Sequence, residues 1–290
     1  VKYFHVDVFS SVPLAGNGLA VAFPDREIGS ATLLEIAREF KQFETSFIYP
    51  SRDGVFPVRI FTVDEELPFA GHPMLGSAAM IHHLYFPGEE RAGISISLGE
   101  RIVRLESSLV RPGSANSRSE GLAYSVTMDQ GQPDFIARVD RSRAEEIAES
   151  LALAAGDIDS RFPLEVVSTG LPYLLVPLNS GLDRARISRP DFEMFLSTFG
   201  AKFAYLFDTE TLECRTWDNA GRVEDVATGS AAGPLCAYLV RNGYRAEGAR
   251  IELSQGRFAG RPSKIEGLVK NGSVFISGGV ALFAAGEMLP

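Results

Sequence analysis

One plan occurs twice in this chain, and it narrows the folds open to it. Glu224-Asp-Val-Ala-Thr-Gly-Ser-Ala-Ala-Gly-Pro234 runs from two acids through Thr228-Gly229-Ser230 into Leu235, Ala237, Tyr238 and Leu239 at helical spacing. Small polar residues suited to capping, followed by that period, predict a tight turn delivering a helix that starts near Ser230. Phe69-Ala-Gly-His-Pro-Met-Leu-Gly-Ser-Ala-Ala79 has the same form, with Gly71-His72 standing where Gly229-Ser230 stand. His72 is then expected at the N-cap and Pro73 at the first helical position, where a missing N–H costs nothing. Each copy follows an Arg in a predicted strand, Arg59-Ile-Phe and Arg215-Thr-Trp. The first N–H groups of a helix lack internal acceptors and favour negative charge in front of them. Two such N-termini predict two lobes facing one ligand, with an anion site beside Asp225.

The remaining pattern fits two halves of the same order. Tyr3–Phe9 and Leu19–Phe23 alternate as strands around the turn Ala15-Gly-Asn-Gly18, and Ser30 is placed to cap a helix with Leu33, Leu34, Ala37 and Phe40 on one face. Phe43–Tyr49 and Val55–Thr62 are further strands, and a hairpin near residues 95–106 closes the first half. Arg111–Gly121, rich in Ser, Pro, Gly and Asn, is predicted to be a surface linker. Beyond it, the segments 166–177, 190–199, 202–207 and 212–217 repeat the turn, strand and helix order, with an extra helix near 143–153 ahead of them. Asn271-Gly272 predicts a two-residue hairpin turn. Strands with a few helices in each half give an α+β protein. The expected division is an N-terminal lobe over 1–118, with the C-terminal strand as a candidate to complete it, and a C-terminal lobe over 119–290.

Composition removes several function classes. A formal net charge of -9 argues against a nucleic-acid surface, which needs clustered Lys and Arg. No apolar run approaches the ~18 residues of a membrane span, and residues 1–10 lack the basic start and apolar run of a signal peptide. Two cysteines, Cys214 and Cys236, give no disulfide framework and suggest a reducing cytoplasm. No metal site is expected, since His82-His83 is the nearest approach and adjacent helical side chains diverge.

The chain resembles the PhzF family of phenazine biosynthesis-like proteins, which shares the diaminopimelate epimerase-like fold. The resemblance is carried by Asp7-Val-Phe, Gly16-Asn17, Glu44-Thr-Ser-Phe, Arg59-Ile-Phe-Thr, Glu66-Leu-Pro-Phe-Ala-Gly-His-Pro73, Ser168-Thr-Gly170, the stretch 224–235, Gln255-Gly256 and Gly286, and so covers essentially the whole chain. It implies two pseudo-symmetric lobes, each a mixed sheet wrapped around a central helix, with the active site between them. It also implies a cofactor-free isomerase that moves a proton within a dihydro-hydroxyanthranilate, commonly as a homodimer. The family's acid/base glutamate falls on Glu44, its histidine on His72, and its aspartate and serine on Asp225 and Ser230. Lys41-Gln42-Phe43, Val226 and Trp217-Asp218 depart from the usual pattern and leave those four residue types intact.

Moving a proton between carbons needs a group that accepts and returns it, so its pKa must lie near the working pH. By the residues alone Glu44 is a solvated acid at a strand end, and the resemblance makes it the shuttle. His72 is either a structural N-cap or a donor to the developing dienol, and Asp225 is either a solvated acid or a receiver for a substrate amine or for His72. Ser230 needs no substrate if it only caps a helix. Asn17 is a turn residue or a substrate-binding group, Gly71 and Gly229 let the backbone approach a bound carboxylate, and Glu66 is expected to brace the first turn. Two alternatives stand beside the isomerase. A two-cysteine racemase or epimerase suits the fold, yet Ala70 and Ala227 lie at or near the positions where it would want thiols. A non-catalytic binder of a small carboxylate is the other.

Overall fold

A computed structural model describes residues 1–111 and 122–289. The predicted linker, apart from Arg111, lies outside the described residues, as does the expected boundary at 118/119. The chain forms two compact units, one of Val1–Asp129 with Ser277–Pro290 and the other of Gln130–Ile276.

The first unit contains β1 (Lys2–Val8), β2 (Asn17–Phe23), α1 (Ser30–Phe40), β3 (Glu44–Ile48), β4 (Val55–Phe61), β5 (Glu66–Leu67), α2 (Gly71–Tyr85), β6 (Arg91–Leu98), β7 (Arg101–Val110) and β8 (Ala123–Gly131). The second contains β9 (Asp134–Val139), α3 (Ala144–Ser150), β10 (Leu164–Ser168), β11 (Pro172–Leu178), α4 (Phe192–Ser197), β12 (Phe203–Asp208), β13 (Glu213–Arg215), α5 (Gly229–Arg241), β14 (Arg250–Gln255) and β15 (Ser263–Lys270). The last strand, β16 (Ser273–Glu287), starts in the second unit and returns the chain to the first. Its turn from β15 has φ 52° at Asn271 and 77° at Gly272, the paired positive φ that a type I′ turn requires.

Strand directions explain where the two long helices sit. Most neighbours are antiparallel, but β2–β3 and β4–β6 in the first unit, and β11–β12 and β13–β14 in the second, are parallel. A parallel pair needs a crossover, and α1, α2, α4 and α5 are those crossovers. In the first unit the order β1-β2-β3-β4-β6-β7-β8-β16 closes through a β1–β16 pairing, and α2 packs against β1, β2, β3, β6 and β7. In the second the order runs β15-β14-β13-β12-β11-β10-β9, and α5 packs against β10, β11 and β15. This is the mixed-sheet, central-helix architecture expected.

Burial separates the two kinds of helix. Every residue from Gly71 to His82 of α2 is buried, as a helix apolar all round must be. Met74, Leu75, Met80 and Ile81 are 0% exposed, and each contributes about 1.5–3 kcal/mol of transfer free energy. By contrast α1 buries only Leu33 and Ala37 fully, while Leu34 and Phe40 are half-buried. Among the described residues no helix is long and apolar enough to cross a membrane.

The helix starts differ from expectation. Gly71 and Gly229 are the first helical residues, behind Ala70 and Thr228, so His72 and Ser230 are one position inside and cap nothing. Pro73 still lies in the first turn, where no intrahelical acceptor awaits its nitrogen. Pro234 lies inside α5 and supplies no N–H to the carbonyl four residues back. Likewise Gly29 precedes α1, and Ser30 Oγ receives Arg59 Nη2 at 2.7 Å.

Cys236 on α5 shows how closely helix and sheet approach. A Cβ added to Gly267 of β15 would lie 2.1 Å from Cys236 Sγ. Gly267→Ala is therefore expected to lose about 1–3 kcal/mol by overpacking, and adding Cys236→Ala should restore most of it. Urea unfolding of the three variants checks this.

Candidate active site

Glu44 opens β3, and α2 enters the same unit with His72 as its second residue. Their side chains meet with His72 Nε2 3.2 Å from Glu44 Oε2, the histidine side chain 7% exposed and the glutamate 17%. On the far side of the ring, Asn17 Nδ2 lies 3.4 Å from His72 Nδ1, and Asn17 is 1% exposed. Donation from this amide to Nδ1 would put the ring proton on Nε2, the nitrogen nearer the carboxylate. Burial pushes the imidazole down to about 3, so near neutral pH the ring is neutral and the contact with Glu44 is not an ion pair. Asn17, Glu44, Gly71 and His72 are thus brought together, although Asn17 begins a strand instead of lying in the turn.

The second unit gathers Asp225, Thr228, Gly229 and Ser230 before and into α5. Thr228 Oγ1 donates to Asp225 Oδ2 at 2.5 Å, and Ala227 N–H reaches Asp225 Oδ1 at 3.4 Å. Ser230 Oγ is 2.8 Å from the Tyr173 hydroxyl. The carbonyl of Gly229 accepts Gln130 Nε2 at 3.0 Å, and Gln130 Oε1 accepts the Thr169 hydroxyl at 2.8 Å. Gln255 binds the same turn from β14, donating to the Asp225 carbonyl at 2.8 Å and accepting Thr228 N–H at 3.1 Å.

Each turn has an arginine brace. Arg59 Nε and Nη2 grip the Glu66 carboxylate at 2.7 and 2.5 Å, and Arg215 grips Glu224 at 2.9 and 2.6 Å. Glu66 therefore braces the first turn, as expected. Arg215 is the more buried, with Nη1 2.7 Å from the Leu182 carbonyl and its guanidinium 4.6 Å from the Trp217 ring and 4.3 Å from Phe258. Trp217, a departure in the sequence, covers this brace. Asp218 beside it accepts the N–H groups of Arg222 and Val223 at 2.7 and 2.9 Å, closing the loop before Glu224.

In the sequence Gln130, Thr169, Tyr173 and Gln255 give no sign of these contacts, and Thr228 reads only as a capping residue. Gln255-Gly256 was visible as a dipeptide, but a glutamine announces no partner until the fold supplies one. His82 and His83 hold separate partners, Ser107 Oγ with the Glu89 carbonyl and the Tyr124 hydroxyl respectively. Both cysteines are buried, and burial pushes the Cys236 thiol up to about 12 and raises Cys214 as well, so neither is a thiolate ready for racemase chemistry.

The family model for phenazine biosynthesis-like proteins, PhzC-PhzF, matches residues 6–286. The chain belongs to the PhzF family. A relative from Pseudomonas fluorescens, named trans-2,3-dihydro-3-hydroxyanthranilate isomerase, is 33% identical over 99% of both chains. The solved structure of a predicted epimerase from Pseudomonas aeruginosa is 44% identical and superimposes with a TM-score of 0.89, covering 100% of this chain and 99% of that one. A probable proline racemase from Agrobacterium radiobacter, 13% identical, shares the fold with a TM-score of 0.63 over 99% of this chain and 92% of that one. This PhzF-family chain is an isomerase with the diaminopimelate epimerase-like fold.

The neutral state of His72 in this PhzF protein has a measurable consequence. The unfolded chain takes up a proton at His72 near pH 6.5, and the folded chain does so only near pH 3. Its contribution to stability is thus complete above pH 6.5 and is lost as pH falls toward 3. Urea unfolding should show wild-type stability falling across that window more steeply than that of His72→Asn, by about one bound proton. Equal slopes would mean that folded His72 is already charged.

Proposed function

We propose that the chain transfers a proton between carbons of a small carboxylate-bearing substrate, with trans-2,3-dihydro-3-hydroxyanthranilate as the first compound to test. The observation that carries this reading is the largely shielded Glu44 carboxylate 3.2 Å from a neutral, buried imidazole. Such a shift breaks one C–H bond, forms an O–H bond on the base, and then reverses that on another carbon, so there is no net oxidation. Glu44 takes the proton and returns it.

A neutral partner suits a group that must alternate between acid and base. An imidazolium at that distance would hold the carboxylate strongly ionised and make it a poor base. A neutral ring 3.2 Å away sets no positive charge against Glu44, so the carboxylate is not held as one half of an ion pair. The N–H groups opening α2 at Gly71 and His72 are the proposed seat of the substrate carboxylate, because a helix N-terminus favours an anion. Asp225 and Ser230, with Gly229, belong to the same proposal as assisting groups, Asp225 as a fixed anion and Ser230 as a hydroxyl held by Tyr173. A cytoplasmic homodimer is part of this reading, and light scattering of the purified protein tests its oligomeric part.

The experiment is NMR of the protein with trans-2,3-dihydro-3-hydroxyanthranilate in D2O, following isomerisation and deuterium entry. Glu44→Gln should slow both by about 10²–10⁴-fold while leaving the thermal melt in place. Full turnover in Glu44→Gln would remove the carboxylate shuttle. A folded wild type that neither converts the compound nor exchanges deuterium would remove this substrate.

A further inference from the structure

Gln255, 1% exposed at the end of β14, uses its whole hydrogen-bonding capacity on the turn before α5 and on one tyrosine. Its Oε1 accepts Thr228 N–H at 3.1 Å and the Tyr205 hydroxyl at 2.9 Å. Its Nε2 donates to the Asp225 carbonyl at 2.8 Å and to Thr228 Oγ1 at 2.9 Å. The two backbone partners settle which way the amide faces, because an N–H only donates and a carbonyl only accepts. With Nε2 then donating to Thr228 Oγ1, the hydroxyl must send its own proton elsewhere. Asp225 Oδ2, 2.5 Å away, receives it.

We propose that Gln255 is a positioning residue for the reaction: by donating to Thr228 Oγ1 it commits the Thr228 proton to Asp225 and holds that carboxylate as an oriented anion. This rests on Asp225 belonging to the reaction machinery, as proposed above. Deprived of the Gln255 donor, the Thr228 hydroxyl is free to turn away, and the carboxylate loses a short charge-assisted bond. Asp225 so held supplies fixed charge, leaving proton movement to Glu44.

The adjacent glycine has its reason in the same contact. Gly256 has φ 82°, and a Cβ there would lie 2.5 Å from the Val226 carbonyl oxygen and 2.3 Å from that of Arg261. The end of β14 is thereby drawn against the turn, within reach of one glutamine side chain. The ionisable neighbours of this network include Tyr205, kept protonated by complete burial, the buried thiols of Cys214 and Cys236 near that tyrosine, and Glu224, already gripped by Arg215.

The test is the carboxyl ¹³C titration of Asp225 in the intact protein, for wild type, Thr228→Ser, Thr228→Val, Gln255→Met and the Thr228→Val/Gln255→Met pair, with Thr228→Ala replacing Thr228→Val if that variant does not fold. Loss of a hydrogen bond to the charged form should raise the proton affinity of Asp225 about 10-fold or more, one pH unit, in Gln255→Met and Thr228→Val. The double variant should shift no further than either single one, and Thr228→Ser, which keeps the hydroxyl, should titrate with the wild type. An unchanged titration in Gln255→Met, or full additivity in the double variant, would overturn the proposal. Turnover measured alongside separates the two readings. Full activity in Asp225→Asn would remove Asp225 from the machinery and this positioning role with it. An inactive Asp225→Asn with an unshifted Gln255→Met leaves the first reading standing and sinks this one.

Discussion

A helix buried along its length meets polar chemistry only at its ends. The residues of α2 are buried from Gly71 to His82, and those of α5 nearly so from Gly229 to Leu239. Their backbone groups bond internally and their side chains are mostly small or apolar, so the unpaired N–H groups of the first turn are the main polar feature left. The crossover between parallel strands places that first turn, and the rest of each unit follows from it. The strands supply Glu44 and Asn17 beside one turn and Gln255 and Tyr173 beside the other. The arginine braces hold the incoming chain before each helix.

Burial also decides charge. His72 lies beside a carboxylate, an arrangement that at the surface would favour imidazolium, yet desolvation pushes the ring down to about 3. The result is a hydrogen-bond donor without charge. The same effect removes the cysteines from the chemistry, since a thiol inside an apolar core does not ionise near neutral pH. The two arginine braces differ for the same reason. Arg215 is nearly enclosed with Glu224, and breaking such a pair costs about 3–5 kcal/mol, whereas Arg59 and Glu66 are partly exposed to water and are worth less.

Much of the fold was legible because it rests on local rules. Alternation marked the strands, the Asn271-Gly272 pair marked its hairpin, and the doubled glycine turn marked both central helices. Helix starts were off by one or two residues because small polar residues fit several positions in a first turn, and only the hydrogen bonds distinguish a cap from a first-turn residue. Ser230 looked like a cap and instead meets Tyr173. Thr228 does stand at the cap position, but its hydroxyl meets Asp225 and no helix N–H. From the sequence Glu44, His72 and Asp225 stood out as candidates beside the two turns, and Glu66 as a brace, which the structure bears out. Gln130 and Gln255 were not legible, because a buried glutamine differs from an exposed one only in its partners, which lie dozens of residues away.

By itself, then, the sequence determined the repeat, the two central helices, the absence of a long apolar span and the family, all of which depend on residue order and spacing. The tertiary structure decided what those residues are chemically. It made His72 neutral, set its ring beside Glu44, gave the Ser230 and Thr228 hydroxyls partners other than the helix N–H groups, and buried both thiols. Protonation and hydrogen-bond direction depend on solvent exclusion and on atoms within about 3 Å. Those neighbours come from distant parts of the chain, so no local pattern records them.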